Sequence, residues 1–377
     1  MRRTTSLYLD LVRFSAALTV FAEHLREHSR NGFGAFWNNH PFLYSHLNPY
    51  SQTAVTVFFV LSGYVIAYVL ATREDTPPEY AASRFARLSS VVIPSLLLIV
   101  VCNFLIELRY PDAFWEFESG GTSGVALSYI GTALFVNCFW LWPNIEIPNG
   151  PFWTLSFEVS YYIAIAILFF MRGRTRVLGI LALCLLAGPT IVLLAPTWLL
   201  GYATYHIARR WHLNPRLAVL FWTSSVVLLP FAASLQLGYR QHLAFLRTPD
   251  QTVGEILAAY AAAICFAVNV MAFDSFADRL ESLFARFARQ VRWLGSVTFA
   301  LYLFHQPLLS LFTVYHLPDR SSLSQFVLLI GGTFLVVGTA GRFCENMKGV
   351  YARIFLAAWA LVAQRVAMVR WEAQKPT

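Results

Sequence analysis

Residues 7–25 read LYLDLVRFSAALTVFAEHL, and this stretch decides the class of fold. It is long and apolar enough to cross a bilayer as a helix, for which about 20 residues suffice. Arg13 and His24 interrupt it. A charged group at the bilayer centre costs about 3 kcal/mol or more unless it meets a polar cavity or a partner, so both residues are candidates for function. Eleven residues separate them. At about 100° and 1.5 Å per residue, that spacing returns to within about 20° of the same face, about 16 Å along the axis. Asp10 lies about 40° from His24 around that face. The spacing predicts one helix with Asp10, Arg13 and His24 on an inward stripe, and with Leu11, Val12, Leu18, Val20 and Phe21 turned to lipid or to neighbouring helices.

Working outward, the composition of the 377-residue chain agrees with this reading: 57% of residues are hydrophobic and 13% charged. Soluble proteins have about 45–50% and 25%. The 11 Trp and 17 Tyr suit interfacial belts as well as a core. The fold class is therefore an all-α, polytopic transmembrane helix bundle. The net charge of +8 fits arginine-rich cytoplasmic loops better than nucleic acid. The five cysteines are scattered, mostly inside apolar runs and without C-x-x-C spacing, and read as small packing residues. The opening Met-Arg-Arg mimics a signal peptide, but Arg13 interrupts the apolar run and no small-x-small site follows. The segment is expected to stay as the first span.

Apolar segments of near-spanning length fall at 7–26, 52–72, 88–107, 124–142, 152–171, 177–194, 196–211, 217–236, 253–273, 294–314 and 323–343. The charge bias selects among topologies. If 124–142 dips in and returns as a re-entrant or partial helix, ten spans remain and both termini share one side. That side collects Arg2 and Arg3, Arg73, Arg84 and Arg87, Arg172 to Arg176, Arg209 to Arg216, Arg279 to Arg292 and the basic tail. The other keeps Arg26, Arg30, Arg109, Arg240, Arg247 and Arg320. The first is then cytoplasmic. Pro94 and Pro307 should kink or break their spans. Residues 1–345 form the membrane unit, within which the chemistry is expected to be completed. Residues 346–377 form a cytoplasmic interfacial helix and tail. No internal repeat is visible, which weighs against transporter folds built from duplicated halves.

Several side chains in these segments carry chemistry. Ser62 and Gly63, in Phe58-Phe59-Val60-Leu61-Ser62-Gly63-Tyr64, permit close helix approach. Arg84 and Arg87 stand one turn apart before the third span. They serve either the topology or a clamp for a phosphorylated cytoplasmic ligand, since arginine forks match phosphate oxygens. Glu158 must be neutral, paired or facing water, and it could simply partner an arginine. His305 places a second imidazole in the ninth span, as a structural residue or a reactive one. His24 and His28 have H-x-x-x-H spacing, but no third ligand is near in sequence, so no metal is expected.

Taken in order, these segments resemble the membrane-bound acyltransferase-3 family, from about residue 5 to residue 345. The resemblance rests on Asp10, Arg13 and His24 in the first helix, the FFVLSGY segment, the Arg84-x-x-Arg87 pair, Trp153, Ser156 and Glu158, and Tyr302 to Pro307. Glu23 stands where an apolar or aromatic residue is more usual and could alter the basicity of His24. The proline-tyrosine that customarily follows the arginine pair is missing. The resemblance implies transfer of an acyl group, most often acetyl, from acyl-CoA to a hydroxyl of a carbohydrate or lipid-linked glycan. The setting it suggests is the bacterial inner membrane. The catalytic set it suggests is His24, Arg13, Asp10, Glu158 and His305, with Arg84, Arg87 and Ser62 on the donor. An imidazole titrating near neutrality suits the base. The oxyanion would be met by Arg13, Ser62 or His305. The donor would enter by a tunnel from the cytoplasm. The competing reading from another class is a multi-pass transporter or flippase for a polysaccharide precursor.

Overall fold

The computed structural model describes residues 1–32, 50–74, 76–109, 121–142, 149–238, 252–315 and 323–373. They are helical, with no β-strand among the described residues. In chain order the helices are α1 (Arg3–Gly32), α2 (Tyr50–Leu70), α3 (Pro77–Arg109), α4 (Gly121–Ala133), α5 (Trp153–Phe170), α6 (Gly173–Ala187) and α7 (Pro189–Arg210). There follow α8 (Pro215–Gly238), α9 (Val253–Phe276), α10 (Glu281–Tyr315), α11 (Leu323–Val336), α12 (Arg342–Asn346) and α13 (Lys348–Ala373). Of the arginines expected on the outer side, Arg240, Arg247, Arg320 and the side chain of Arg30 lie outside the described residues.

Among the described residues, seven helical stretches are long and apolar enough to cross a membrane. The seventh, Val253–Val314, runs for 62 residues and bends through a 3-10 turn at Ala277–Leu280, which divides it into α9 and α10. α6, with 15 residues, and α11, with 14, are shorter than the length that defines those stretches. One expected boundary is corrected. The chain does not divide between 194 and 196; it breaks at Gly188, whose φ of +90° ends α6, and Pro189 opens α7. Glycine past a helix end and proline at the first helical position is the standard asymmetry, and it overrides the continuous apolar pattern. Pro196 sits inside α7. Pro94 and Pro307 likewise lie within continuous helices and do not break them.

Lipid-facing surfaces are legible in the burial. Along α3, Leu97, Val101, Phe104 and Leu108 are exposed at helical spacing, while Ser95, Ile99 and Cys102 on the other face are buried. Apolar outside and partly polar inside is the arrangement a bilayer requires. α3 and α10 are 33 and 35 residues long. Each is about 50 Å, longer than the roughly 30 Å hydrocarbon layer. α13 packs on α3, with Phe355 and Phe85 ring centroids 5.1 Å apart, so the tail expected at the interface docks on the extended start of that helix.

The core is built around α1. It runs beside α10 in the same direction: Arg292 meets Asp10 near one end, and His305 meets His24 near the other. α2 begins beside the far end of α1, where Glu23 accepts a hydrogen bond from Ser51 N (2.9 Å) and complements the helix dipole. This contact also shows Glu23 engaged with the start of α2. α2 and α7 cross closely. A Cβ on Gly63 would stand 2.1 Å from Trp198 O, and one on Gly201 2.0 Å from Val60 O, so each helix needs glycine where the other's backbone passes.

The segment 124–142 is not one helix. α4 ends at Ala133, Phe135 takes a left-handed φ of 60°, and the chain folds back until the Trp142 indole lies against Gly131. Trp140 Nε1 donates to Leu185 O (2.6 Å), and Ser156 Oγ donates to Asn137 Oδ1 (2.5 Å). These bonds tie the returning strand of chain to α6 and to the start of α5.

Candidate functional site

The segment from Tyr302 to Pro307 organises one end of the site. Pro307 has no N–H, so the carbonyl of Leu303, four residues earlier, loses its helical donor. In hydrocarbon that carbonyl needs another. It receives two: Ser95 Oγ from α3 (3.0 Å) and Asn149 Nδ2 from the approach to α5 (2.8 Å). Gln306 Oε1 accepts from Gly150 N (2.7 Å), and Tyr302 OH lies 3.1 Å from Thr154 Oγ1. One short motif thus pins α10 to α3 and to the start of α5.

Within that frame, His305 is fully buried. Its Nε2 lies 2.8 Å from His24 Nδ1, and its own Nδ1 lies 2.8 Å from Leu301 O. The imidazole rings are nearly parallel, and Phe21 stands edge-on to His305. Two histidines 281 residues apart therefore form one hydrogen-bonded pair.

The other centre is a cavity of about 570 Å³ of empty space, part of it open to the outside. Its polar wall is Arg13, Ser62, Arg87, Glu158 and Thr154, and its apolar wall includes Phe58, Phe59, Leu61 and Leu155. Ser62 and Arg13 meet at one depth because α1 and α2 are paired at Glu23 and Ser51. Each cavity residue lies ten or eleven positions from that pairing, about 15 Å. Glu158 is paired. Ser62 Oγ donates to its Oε1 (3.0 Å), Tyr162 OH donates to the same oxygen, and Arg87 stands 3.8 Å away. Tyr302 also lines the cavity, one helical turn before His305.

The structure sorts the expected residues into groups. Arg13, Ser62, Arg87 and Glu158 share the cavity, and His24 pairs with His305, one turn past the lining residue Tyr302. Asp10 is bound to Arg292 and stands 3.9 Å from Arg13, fourteen residues along α1 from His24. It fastens α1 to α10. Arg84 does not join Arg87 at the cavity. Its guanidinium is buried against Glu74 (2.9 Å) and Ser83, between the rings of Tyr80 and Tyr162. A clamp made of both arginines is therefore not assembled. Of the three groups expected at the oxyanion, His305 has both ring nitrogens engaged. Ser62 directs its hydroxyl to Glu158. The His28 side chain, on which the H-x-x-x-H metal reading rests, lies outside the described residues.

Some partners escaped the sequence reading. Tyr162 follows Glu158 by four positions, and helical spacing alone places it on the same face. Ser95 and Asn149 carried no local signal, although Pro307 announces that some donor must find the Leu303 carbonyl. Glu74 and Arg292 read as ordinary charges until the fold brings Arg84 and Asp10 to them.

An acyltransferase-domain family model matches residues 6–342, nearly the whole of the helical unit described above. Neither a curated protein nor a solved structure matches the chain significantly. The residues matched take in both the histidine pair and the Arg13–Arg87–Glu158 cavity. The chain belongs to the acyltransferase-3 family and is a membrane-embedded acyltransferase.

Proposed function

We propose that this acyltransferase moves an acyl group, acetyl in the simplest case, from acyl-CoA to a hydroxyl of a carbohydrate or lipid-linked glycan. The observation that carries the reading is the His24–His305 pair, a half-buried and a fully buried imidazole on the same two helices that line the cavity. His24 is the general base. The hydroxyl proton passes to its imidazole as the oxygen attacks the thioester carbonyl. Collapse then breaks the C–S bond, and the sulfur departs with the electron pair and takes that proton. Positioned acid–base catalysis of this kind contributes about 10²–10⁴-fold.

The donor arrives through the cavity. Its walls mix Phe58, Phe59 and Leu155 with Arg13, Ser62 and Arg87, which suits a pantetheine arm that alternates methylene and amide groups. Arg87 is the cation on the donor, and Arg84 holds the start of α3 through Glu74. Arg13 lies eleven residues from His24 on the same helix. That is about 16 Å, so Arg13 and Ser62 are assigned to the donor arm and not to the oxyanion.

The topology proposed is ten crossings with α4 re-entrant, both termini cytoplasmic, in the bacterial inner membrane. The parallel course of α1 and α10 supports a re-entrant α4, because it requires an even number of reversals between them. Eight reversals, through α2, α3 and α5 to α10, meet that requirement when α4 returns to its own side.

The test is transfer from labelled acetyl-CoA by protein purified in detergent and supplied with membrane glycans. His24→Ala should abolish transfer while the protein remains folded. Transfer at the wild-type rate in that variant would end the proposal. Coenzyme A should also raise the melting temperature, a result that a flippase reading does not supply.

A further inference from the structure

We infer that His305 is a positioning residue that fixes the tautomer of His24, so that the reactive lone pair sits on His24 Nε2. The inference rests on the reading of His24 as the base and adds to it which nitrogen takes the proton and why.

A backbone carbonyl only accepts, so the 2.8 Å contact between His305 Nδ1 and Leu301 O places a proton on His305 Nδ1. A neutral imidazole carries one N–H, which makes His305 Nε2 an acceptor. We take the ring as neutral in its wholly buried site, with Phe21 edge-on to it. His24 Nδ1, 2.8 Å away, must then donate. With its single proton on Nδ1, neutral His24 has its lone pair on Nε2. When Nε2 takes the alcohol's proton, the Nδ1–H bond to His305 becomes charge-assisted and strengthens as positive charge develops. A buried carboxylate performs this service in serine hydrolases; here a second imidazole does so without bringing a net charge into the membrane.

His305 can be held to this task because its surroundings are over-determined. The carbonyl freed by Pro307 anchors α10 through Ser95 and Asn149, and Gln306 and Tyr302 bind to Gly150 and Thr154 on either side. The ring is thereby aimed at α1 with little freedom to turn.

Two measurements test the proposal. The first is ¹⁵N NMR of histidine-labelled protein in micelles. The His24 signals should show the Nδ1–H tautomer in the wild type and revert to the commoner Nε2–H form in His305→Ala. A wild-type Nε2–H tautomer would overturn the inference. The second is a variant series. His305→Gln places an amide oxygen near the position of Nε2 and can still accept from His24. His305→Asn resembles Nδ1 and cannot. Transfer by His305→Gln should stay within about 10-fold of wild type, while His305→Asn and His305→Ala lose about 10²-fold in kcat with donor KM unchanged. Equal losses for Gln and Asn, or an effect confined to KM, would show a merely structural role. The His24→Ala control separates the failures. If that variant retains transfer, the base assignment itself fails. If it is inactive while His305→Ala is unaffected, only the positioning role fails.

Discussion

Arg84 and Arg87 are one turn apart on α3, and their side chains meet different partners. Arg84 is buried against Glu74, whereas Arg87 reaches the cavity beside Glu158. Breaking a buried pair from one side leaves the other charge stranded and costs about 3–5 kcal/mol. Arg84→Ala should therefore lower the melting temperature measured in detergent and leave donor KM little changed in the folded fraction. Arg87→Ala should raise donor KM about 10-fold or more, the loss of one charge-assisted contact, with a smaller thermal effect. If both variants behave alike in both assays, the division between them is wrong. The i, i+3 spacing alone predicted a shared task. It did not because Glu74, in the turn before α3, claims the nearer guanidinium.

At the scale of elements, two devices hold the helices in place, and both depend on what a residue lacks. Gly63 and Gly201 lack a Cβ where α2 and α7 cross, and Gly63→Ala would put a carbon 2.1 Å from Trp198 O. Backbone cannot yield cheaply, so this substitution should cost about 1–3 kcal/mol, as overpacking does, and should show as a lower melting temperature. Gly349→Ala, with open space around it, is the control and should be neutral. Pro307 lacks an N–H, and Ser95 and Asn149 supply the Leu303 carbonyl in its place. The double variant Ser95→Ala with Asn149→Ala orphans a buried acceptor. It should cost about 1–3 kcal/mol and depress transfer by loosening the frame of His305. An unaltered melting temperature in that variant would refute the role given to the proline. The Ser-Gly step and the proline were both visible in the chain. Which helix passes the glycine, and which donors reach the carbonyl, were not.

For the whole molecule, α1 and α10 run side by side and are joined at both ends, by Asp10 with Arg292 and by His24 with His305. These contacts set the axis along which donor and acceptor would approach from opposite faces. If α4 is re-entrant, the exposed turn at Thr175 lies on the cytoplasmic side with the N-terminus. Thr175→Cys should then react with a membrane-impermeant maleimide in inverted vesicles and not in intact cells. Labelling in intact cells would reverse the topology or make α4 a crossing.

Composition alone makes this a helical membrane protein, since 57% hydrophobic residues and few charges leave no other class. Spacing in the chain also determined that Arg13 and His24 share a face about 16 Å apart, because helical rise and twist are local properties. The motifs named the side chains of the site. That His24 meets His305 and that Arg84 turns away from Arg87 came from the packing of the helices. Periodicity reports the face on which a residue lies, but not what stands opposite. Partners 281 residues apart are chosen by the packing of whole helices, in which glycine gaps, freed carbonyls and buried charges must all be satisfied together.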